Sequence, residues 1–276
     1  MLVSHESPLK LMEKSREYND YDYCLVHLLE QYPEYLEFFQ ESLKQNRHVL
    51  LDNSMFELRE AFEPTKFTEW INVLGPNEYI VPDVFSDKQA TIDSFENWKE
   101  NHEPNVTVNS DKIGVIQGQN FQEMIDCYLY MVKNADKIAM SFECQYFHHT
   151  GYSLDPKATT WHRLMVGRQK FISDLIREGI WAWHKPHHLL GCALPQEFIA
   201  YDSVFNIETI DTSNPVVAGM HGVGYNAGGL DDKITTKLAD ILDHDVTDEQ
   251  EKLVMSNVTH FRDINNIKEP HAINSN

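Results

Sequence analysis

Carboxylates and amides recur in this chain at one kind of place, directly after a short apolar run. Asp52 follows Val-Leu-Leu, Asp83 follows Ile-Val-Pro, Gln117 follows Gly-Val-Ile, and Asp211 follows Ile-Glu-Thr-Ile. Ser141 and Glu143 close the run Ile-Ala-Met in the same way. A lone Asp in such a place commonly caps the next helix or makes a turn. Three of them, at matching ends of separate runs, instead suggest one shared site. Clustered carboxylates repel unless their roles differ, one keeping a proton as an acid and another ionised as nucleophile or base.

The 14 histidines and four cysteines offer less. His148, His149, His184, His187, His188 and His221 are the candidates for a metal. Adjacent residues of a strand point to opposite faces, so His187 and His188 cannot easily share an ion. No HxxxH or HExxH motif lies on a predicted helix. These side chains are read as polar or rim histidines. Cys24, Cys127, Cys144 and Cys192 are scattered, with no CxxC pair. That pattern fits reduced, partly buried thiols in a cytoplasmic protein. No metal site and no cofactor are expected.

The apolar runs read as strands: Asp22–Leu28, His48–Asp52, Tyr79–Asp83, Lys112–Gln117, Asp136–Phe142, His187–Ala193, Val204–Ile210 and Pro215–His221. Several are apolar on consecutive positions, as strands covered on both faces should be. Amphipathic stretches separate them. Pro33 opens one at a first-turn position, and Asp87 and Asn120 can cap two more. Asp155-Pro156 reads as the start of a long helix to Glu178, and Thr247 with Gln250 has capping-box spacing. Strands alternating with helices argue for an α/β fold with parallel strands. About eight such units fit a (β/α)8 TIM-type barrel better than an open doubly wound sheet. No GxGxxG or GxxxxGK[ST] motif supports a nucleotide-binding sheet. In a barrel the carboxylates above would converge on the mouth at the C-terminal strand ends.

Composition narrows the partners. The chain is 42% hydrophobic and 24% charged, a globular balance, with a formal net charge of −20. That disfavours a protein that coats DNA, though not an enzyme that grips nucleic acid through a local patch. No apolar run approaches the roughly 18 residues of a membrane helix, and the mixed, charged segment Met1 to Lys14 does not read as a secretory signal.

In order and wording, LLDNSMFE (Leu50–Glu57), VPDVF (Val81–Phe85), GVIQG (Gly114–Gly118), HLLGCALPQEF (His188–Phe198) and FNIETIDTSNP (Phe205–Pro215) are similar to segments of the tRNA-guanine transglycosylase superfamily. The chain most resembles its compact DNA-acting branch, the DpdA-type 7-deazaguanine DNA transglycosylases of phages and bacteria. The resemblance covers roughly residues 48–222 and implies one transglycosylase-like barrel domain over residues 1–276. A helical insertion at about 143–186 and a C-terminal helical segment at about 230–265 would accompany it, with no zinc subdomain. It implies replacement of guanine in DNA by a free 7-deazaguanine base, in the cytoplasm, or in the host cytoplasm if phage-encoded. Asp211 would be the nucleophile on C1′, since a carboxylate can form and release a glycosyl ester. Asp52 would act as acid/base or orient the substrate. Asp83 would read the purine N1–H and amine, and Gln117 its carbonyl. Phe56 and Leu190 would sandwich the base, Gly191 would let the backbone approach it, and Ser141 would add a looser contact.

The chain departs from the tRNA-type pattern in two places. The zinc motif CxCxxC with its His is missing, and no Arg follows the nucleophile, where TSNPVVAG stands. Both favour DNA over the alternative of a zinc-less tRNA enzyme. A non-catalytic barrel that holds a purine or a protein is the reading from another class, weakened by the presence of all three Asp. The stretch 161–190 carries Arg163, Arg168, Lys170, Arg177 and Lys185 against Asp174 and Glu178, with Trp161, Trp181 and Trp183 among them. Arg163, Arg168, Lys170 and Arg177 are expected to hold DNA phosphates, and Trp181 or Trp183 to stack on extruded bases.

Overall fold

A computed structural model describes residues 1–270; residues 271–276 of the expected domain lie outside the described residues. The strands are β1 (Leu2–Ser4), β2 (Asp22–Leu25), β3 (Val49–Asp52), β4 (Glu78–Ile80), β5 (Asp111–Val115), β6 (Lys137–Ser141), β7 (His187–Leu190) and β8 (Ile207–Asp211). All seven ladders are parallel, and the order is β1-β8-β7-β6-β5-β4-β3-β2. The last side is closed without a ladder. Asp20 N–H donates to the Val3 carbonyl at 2.9 Å and Tyr23 N–H to Ser4 Oγ at 3.2 Å. The fold is therefore α/β, a nearly closed (β/α)8 TIM-type barrel.

The helices are α1 (Met12–Ser15), α2 (Val26–Gln31), α3 (Pro33–Lys44), α4 (Met55–Leu58), α5 (Pro64–Leu74), α6 (Lys88–Asn97), α7 (Phe121–Asn134), α8 (Gln145–Leu154), α9 (Thr160–Arg177), α10 (Asn214–Met220) and α11 (Asp248–Ile264). Several start where local chemistry predicts. Pro33 opens α3, Asp87 Oδ1 accepts from Ala90 N–H at 2.9 Å, and Asn120 Oδ1 accepts from Glu123 N–H at 3.1 Å. Thr247 and Gln250 form the reciprocal box that opens α11. These side chains satisfy amide groups that the first helical turn leaves without partners.

Two expectations are corrected. Pro215–His221 falls on the helix α10, buried from Asn214 to Met220, and is not a strand. The eighth strand is β1, whose three residues carry too little pattern to read, and whose register, Ser4 beside Asp211, comes from the closure of the barrel. Asp155-Pro156 does not start a helix either. Asp155 caps the end of α8, and α9 begins after Thr159, whose hydroxyl accepts from His162 N–H.

Two helices thus fill the connection from β6 to β7. They approach closely through glycines: a Cβ on Gly151 would lie 2.0 Å from the Arg163 carbonyl oxygen, and one on Gly167 2.0 Å from that of Phe147. α9 starts near the mouth, where Trp161 packs by Phe142, and the chain after it reaches the opposite end of the barrel, where Trp181 stacks on His187 at 3.9 Å. None of the described helices is long and apolar enough to cross a membrane.

Candidate active site

The strand ends open on a cavity of about 360 Å³. Every residue expected to react with or hold the base lines it: Asp211, Asp52, Asp83, Gln117, Phe56, Leu190, Gly191 and Ser141. They come from β3, β4, β5, β6, β7 and β8 or the loops just after them, so strand order alone brings them together. Parallel strands with βα loops at one end can do this for residues far apart in the chain.

The β4–β5 side is a rigid polar edge. Asp83 Oδ1 accepts from Asn53 Nδ2 at 3.0 Å, and Oδ2 accepts from Gln117 Nε2 at 2.8 Å. Gln117 is oriented by Ser86, whose N–H donates to its Oε1 at 2.9 Å. Each carboxylate oxygen keeps a second acceptor site, and the Gln117 amide keeps a second hydrogen. Burial pushes the Asp83 carboxyl above its usual range, against the bonds from Gln117 and Asn53.

On the β8 side Asp211 is 5% exposed. Its Oδ1 accepts from His188 Nε2 at 2.9 Å and from Gly191 N–H at 3.2 Å. Among the described residues, Oδ2 accepts no hydrogen bond. Gly191 is at φ +57°, and a Cβ there would sit 2.7 Å from the Phe142 ring, so both conformation and space call for glycine.

Between these sides the turn after β3 presents Asp52, Phe56 and Glu57. Ser54 and Arg59 bracket α4 in the left-handed region, at φ +61° and +66°. This costly conformation is held by Ser54 N–H on Asp52 Oδ2 at 2.9 Å and by Ser54 Oγ on His27 Nδ1 at 2.8 Å. Burial, then the charges of Glu57 and Asp211, push the Asp52 carboxyl well above its usual range. Burial likewise raises Glu57 to about 7 and, with the Asp211 charge, raises Glu6 at the tip of β1 well above normal. Five carboxylates line one cavity, and burial together with their mutual repulsion favours the protonated forms of Asp52, Glu57 and Glu6. Lys233 also lines it, its ammonium 3.8 Å from the Phe142 ring centroid.

Sequence reasoning missed Glu6, Glu57, Asn53, His188 and Lys233. Glu57 and Asn53 stand inside the LLDNSMFE segment, and His188 opens HLLGCALPQEF, so the words were visible and the contacts were not. His188 is wholly buried inside the barrel and is not a rim histidine. Glu6 was hidden with β1.

The phosphate track expected on and after α9 loses Arg168 and Trp181 to the core. Arg168 is wholly buried, donating from Nε to Glu197 at 2.6 Å and from its terminal nitrogens to the carbonyls of Met140, Leu190 and Gly191. Trp181 is 4% exposed, stacked on His187 and bonded to Asn206 Oδ1 at 2.9 Å. Lys170 and Arg177 pair with Asp174, and Arg177 also with Glu178, at the end of α9 far from the mouth. Trp183 is exposed but stacks on Phe205 beside the start of β7. Arg163 is folded onto Tyr152 and the Pro156 carbonyl. Spacing along a charged helix says nothing about which turn faces the barrel, and here the barrel claims Arg168. At the mouth itself stands Arg59, over the Phe56 ring and paired with Glu143 at 3.2 Å.

All four cysteines are buried and free. Among the described residues no cluster of three His, Cys, Asp or Glu is arranged to hold a metal ion. No family profile matches the chain, and no curated protein matches it.

Proposed function

We propose that the protein is a pentosyltransferase that exchanges guanine in DNA for a free 7-deazaguanine base through a glycosyl ester on Asp211. The observation that carries this reading is the pairing, across one cavity, of a fixed amide–carboxylate edge with a carboxylate that has one free oxygen. Asp83 and Gln117 offer acceptors and a donor matched to the N1–H, amine and carbonyl of guanine. Phe56 and Leu190 supply apolar faces for a flat ring, whose stacking is worth on the order of 1–3 kcal/mol.

In the first step Asp211 Oδ2 forms a bond to C1′ as the C1′–N9 bond breaks. The bonding pair leaves with guanine, which takes the proton held by Asp52. In the second step N9 of the incoming base attacks C1′, returns its proton to Asp52 and releases Asp211. A raised carboxyl beside an ionised one suits this division of roles. The nucleotide must be flipped or single-stranded to enter the cavity. Arg59 is the exposed cation nearest the mouth and is assigned to a flanking phosphate. DNA is preferred to tRNA because the CxCxxC motif and the Arg after the nucleophile are missing.

Incubation with guanine-labelled duplex DNA and, separately, labelled tRNA tests this. Loss of label from DNA when a 7-deazaguanine base is added supports the proposal. Loss from tRNA alone moves the substrate, and loss from neither leaves a purine-binding barrel.

A further inference from the structure

His188 stands on β7 one strand from Asp211, wholly buried, with both ring nitrogens occupied. Nδ1 lies 2.9 Å from Thr209 Oγ1 and Nε2 lies 2.9 Å from Asp211 Oδ1. Thr209 and Asp211 are two residues apart on β8, so their side chains leave the strand on one face. His188 is the register partner of Thr209, which brings the imidazole between them. Tyr23 lies parallel to the ring from across the barrel at 6.0 Å and limits its tilt.

We infer that His188 is the positioning residue of this site, fixing which oxygen of Asp211 attacks; the inference rests on the proposed exchange reaction. The Thr209 hydroxyl donates to Nδ1, so the ring hydrogen sits on Nε2 and donates to Asp211 Oδ1. Gly191 N–H donates to the same oxygen. Two donors on Oδ1 hold the carboxylate plane and leave Oδ2 as the one oxygen with lone pairs directed at a substrate. In the bond-forming step Oδ2 bonds to C1′ while the base departs with the C1′–N9 pair. The ester carbonyl that results is Oδ1, and both donors stay on it. The arrangement follows the general rule that a reacting group is oriented by a partner that is itself held by a third group.

The test uses the full chain with 15N-labelled histidine. In the unmodified protein the His188 Nε2 resonance should be that of a hydrogen-bearing nitrogen and Nδ1 that of an acceptor. A hydrogen on Nδ1 would overturn the inference, and this readout does not depend on the exchange reaction. For turnover, His188→Leu should lower kcat at least tenfold with less than a twofold change in the KM for the free base. His188→Gln, whose amide nitrogen can reach the place of Nε2, should recover most of that loss. Thr209→Val should leave the ring hydrogen on Nε2, where Asp211 accepts it, but release the ring from its second anchor and lower kcat in the same sense. If His188→Leu folds, binds base and turns over within twofold of the unmodified protein, His188 is only core. If Asp211→Asn also turns over normally, it is the assignment of Asp211 as nucleophile that has failed, and if the unmodified protein does not turn over at all, it is the exchange reading.

Discussion

Asp211 and Glu57 bring carboxyl groups to the same cavity in different surroundings. Asp211→Asn keeps the shape of a strand-end residue but cannot form a glycosyl ester, so exchange should fall below detection while the melting temperature barely moves. Normal turnover would remove Asp211 from the chemistry. Glu57 is raised to about 7, first by burial and then by Asp211, against its own backbone bond, Lys237 and Arg59. A carboxyl raised in the folded state contributes stability that is fully present below its unfolded value near 4.5 and is lost as pH rises through 7. Glu57→Gln should therefore nearly match the unmodified protein at pH 4.5 and be more stable at pH 8, by up to about 3 kcal/mol. Denaturant melts at the two pH values check this, and equal gains at both would show that Glu57 is not the titrating group.

At the scale of elements, α9 is a buttress for the β6 and β7 ends. Arg168 reaches out of it to hold the Met140, Leu190 and Gly191 carbonyls, and Gly191 N–H in turn holds Asp211. Arg168→Met leaves Glu197 buried without its cation and three carbonyls without their donor. Breaking a buried pair from one side costs about 3–5 kcal/mol. The expected outcome is a fall of that size in urea melts, and in the folded fraction a loss of exchange with no specific loss of salt-dependent DNA binding. If the variant melts normally and binds DNA less tightly, Arg168 is a phosphate contact after all. Gly167→Ala tests the neighbouring seam. Its Cβ would meet the Phe147 backbone at 2.0 Å, so α8 and α9 must separate, at about 1–3 kcal/mol or more. The same change at Gly179, where nothing lies within 4 Å but φ is +68°, is a control for strain without crowding.

The cavity exists only when eight strands are in register, so at the scale of the whole molecule any base it bound would stabilise the entire fold. A base that binds the folded state alone stabilises it by about 2.7 kcal/mol at a concentration 100 times its Kd. A free 7-deazaguanine base should therefore raise the melting temperature, and Asp83→Ala should abolish that rise. An unchanged shift in Asp83→Ala would mean that the edge formed by Asp83, Asn53 and Gln117 is a loop support and not a reader of the base. Much of this was legible from one dimension. Apolar runs ending in Asp52, Asp83, Gln117 and Asp211 announce parallel strands with their polar tips at one end, because strand burial and the βα loop are local in sequence. Helix starts at Pro33, Asp87, Asn120 and Thr247 are equally local, each settled within four residues. What only the tertiary structure decided is contact across the barrel. It pairs the three-residue β1 with β8, turns His188 inward onto Asp211 and His187 outward onto Trp181, and takes Arg168 from the surface to the core. Those choices depend on strand register and on which helical turn meets the sheet, and both are set by the packing of segments far apart in the chain.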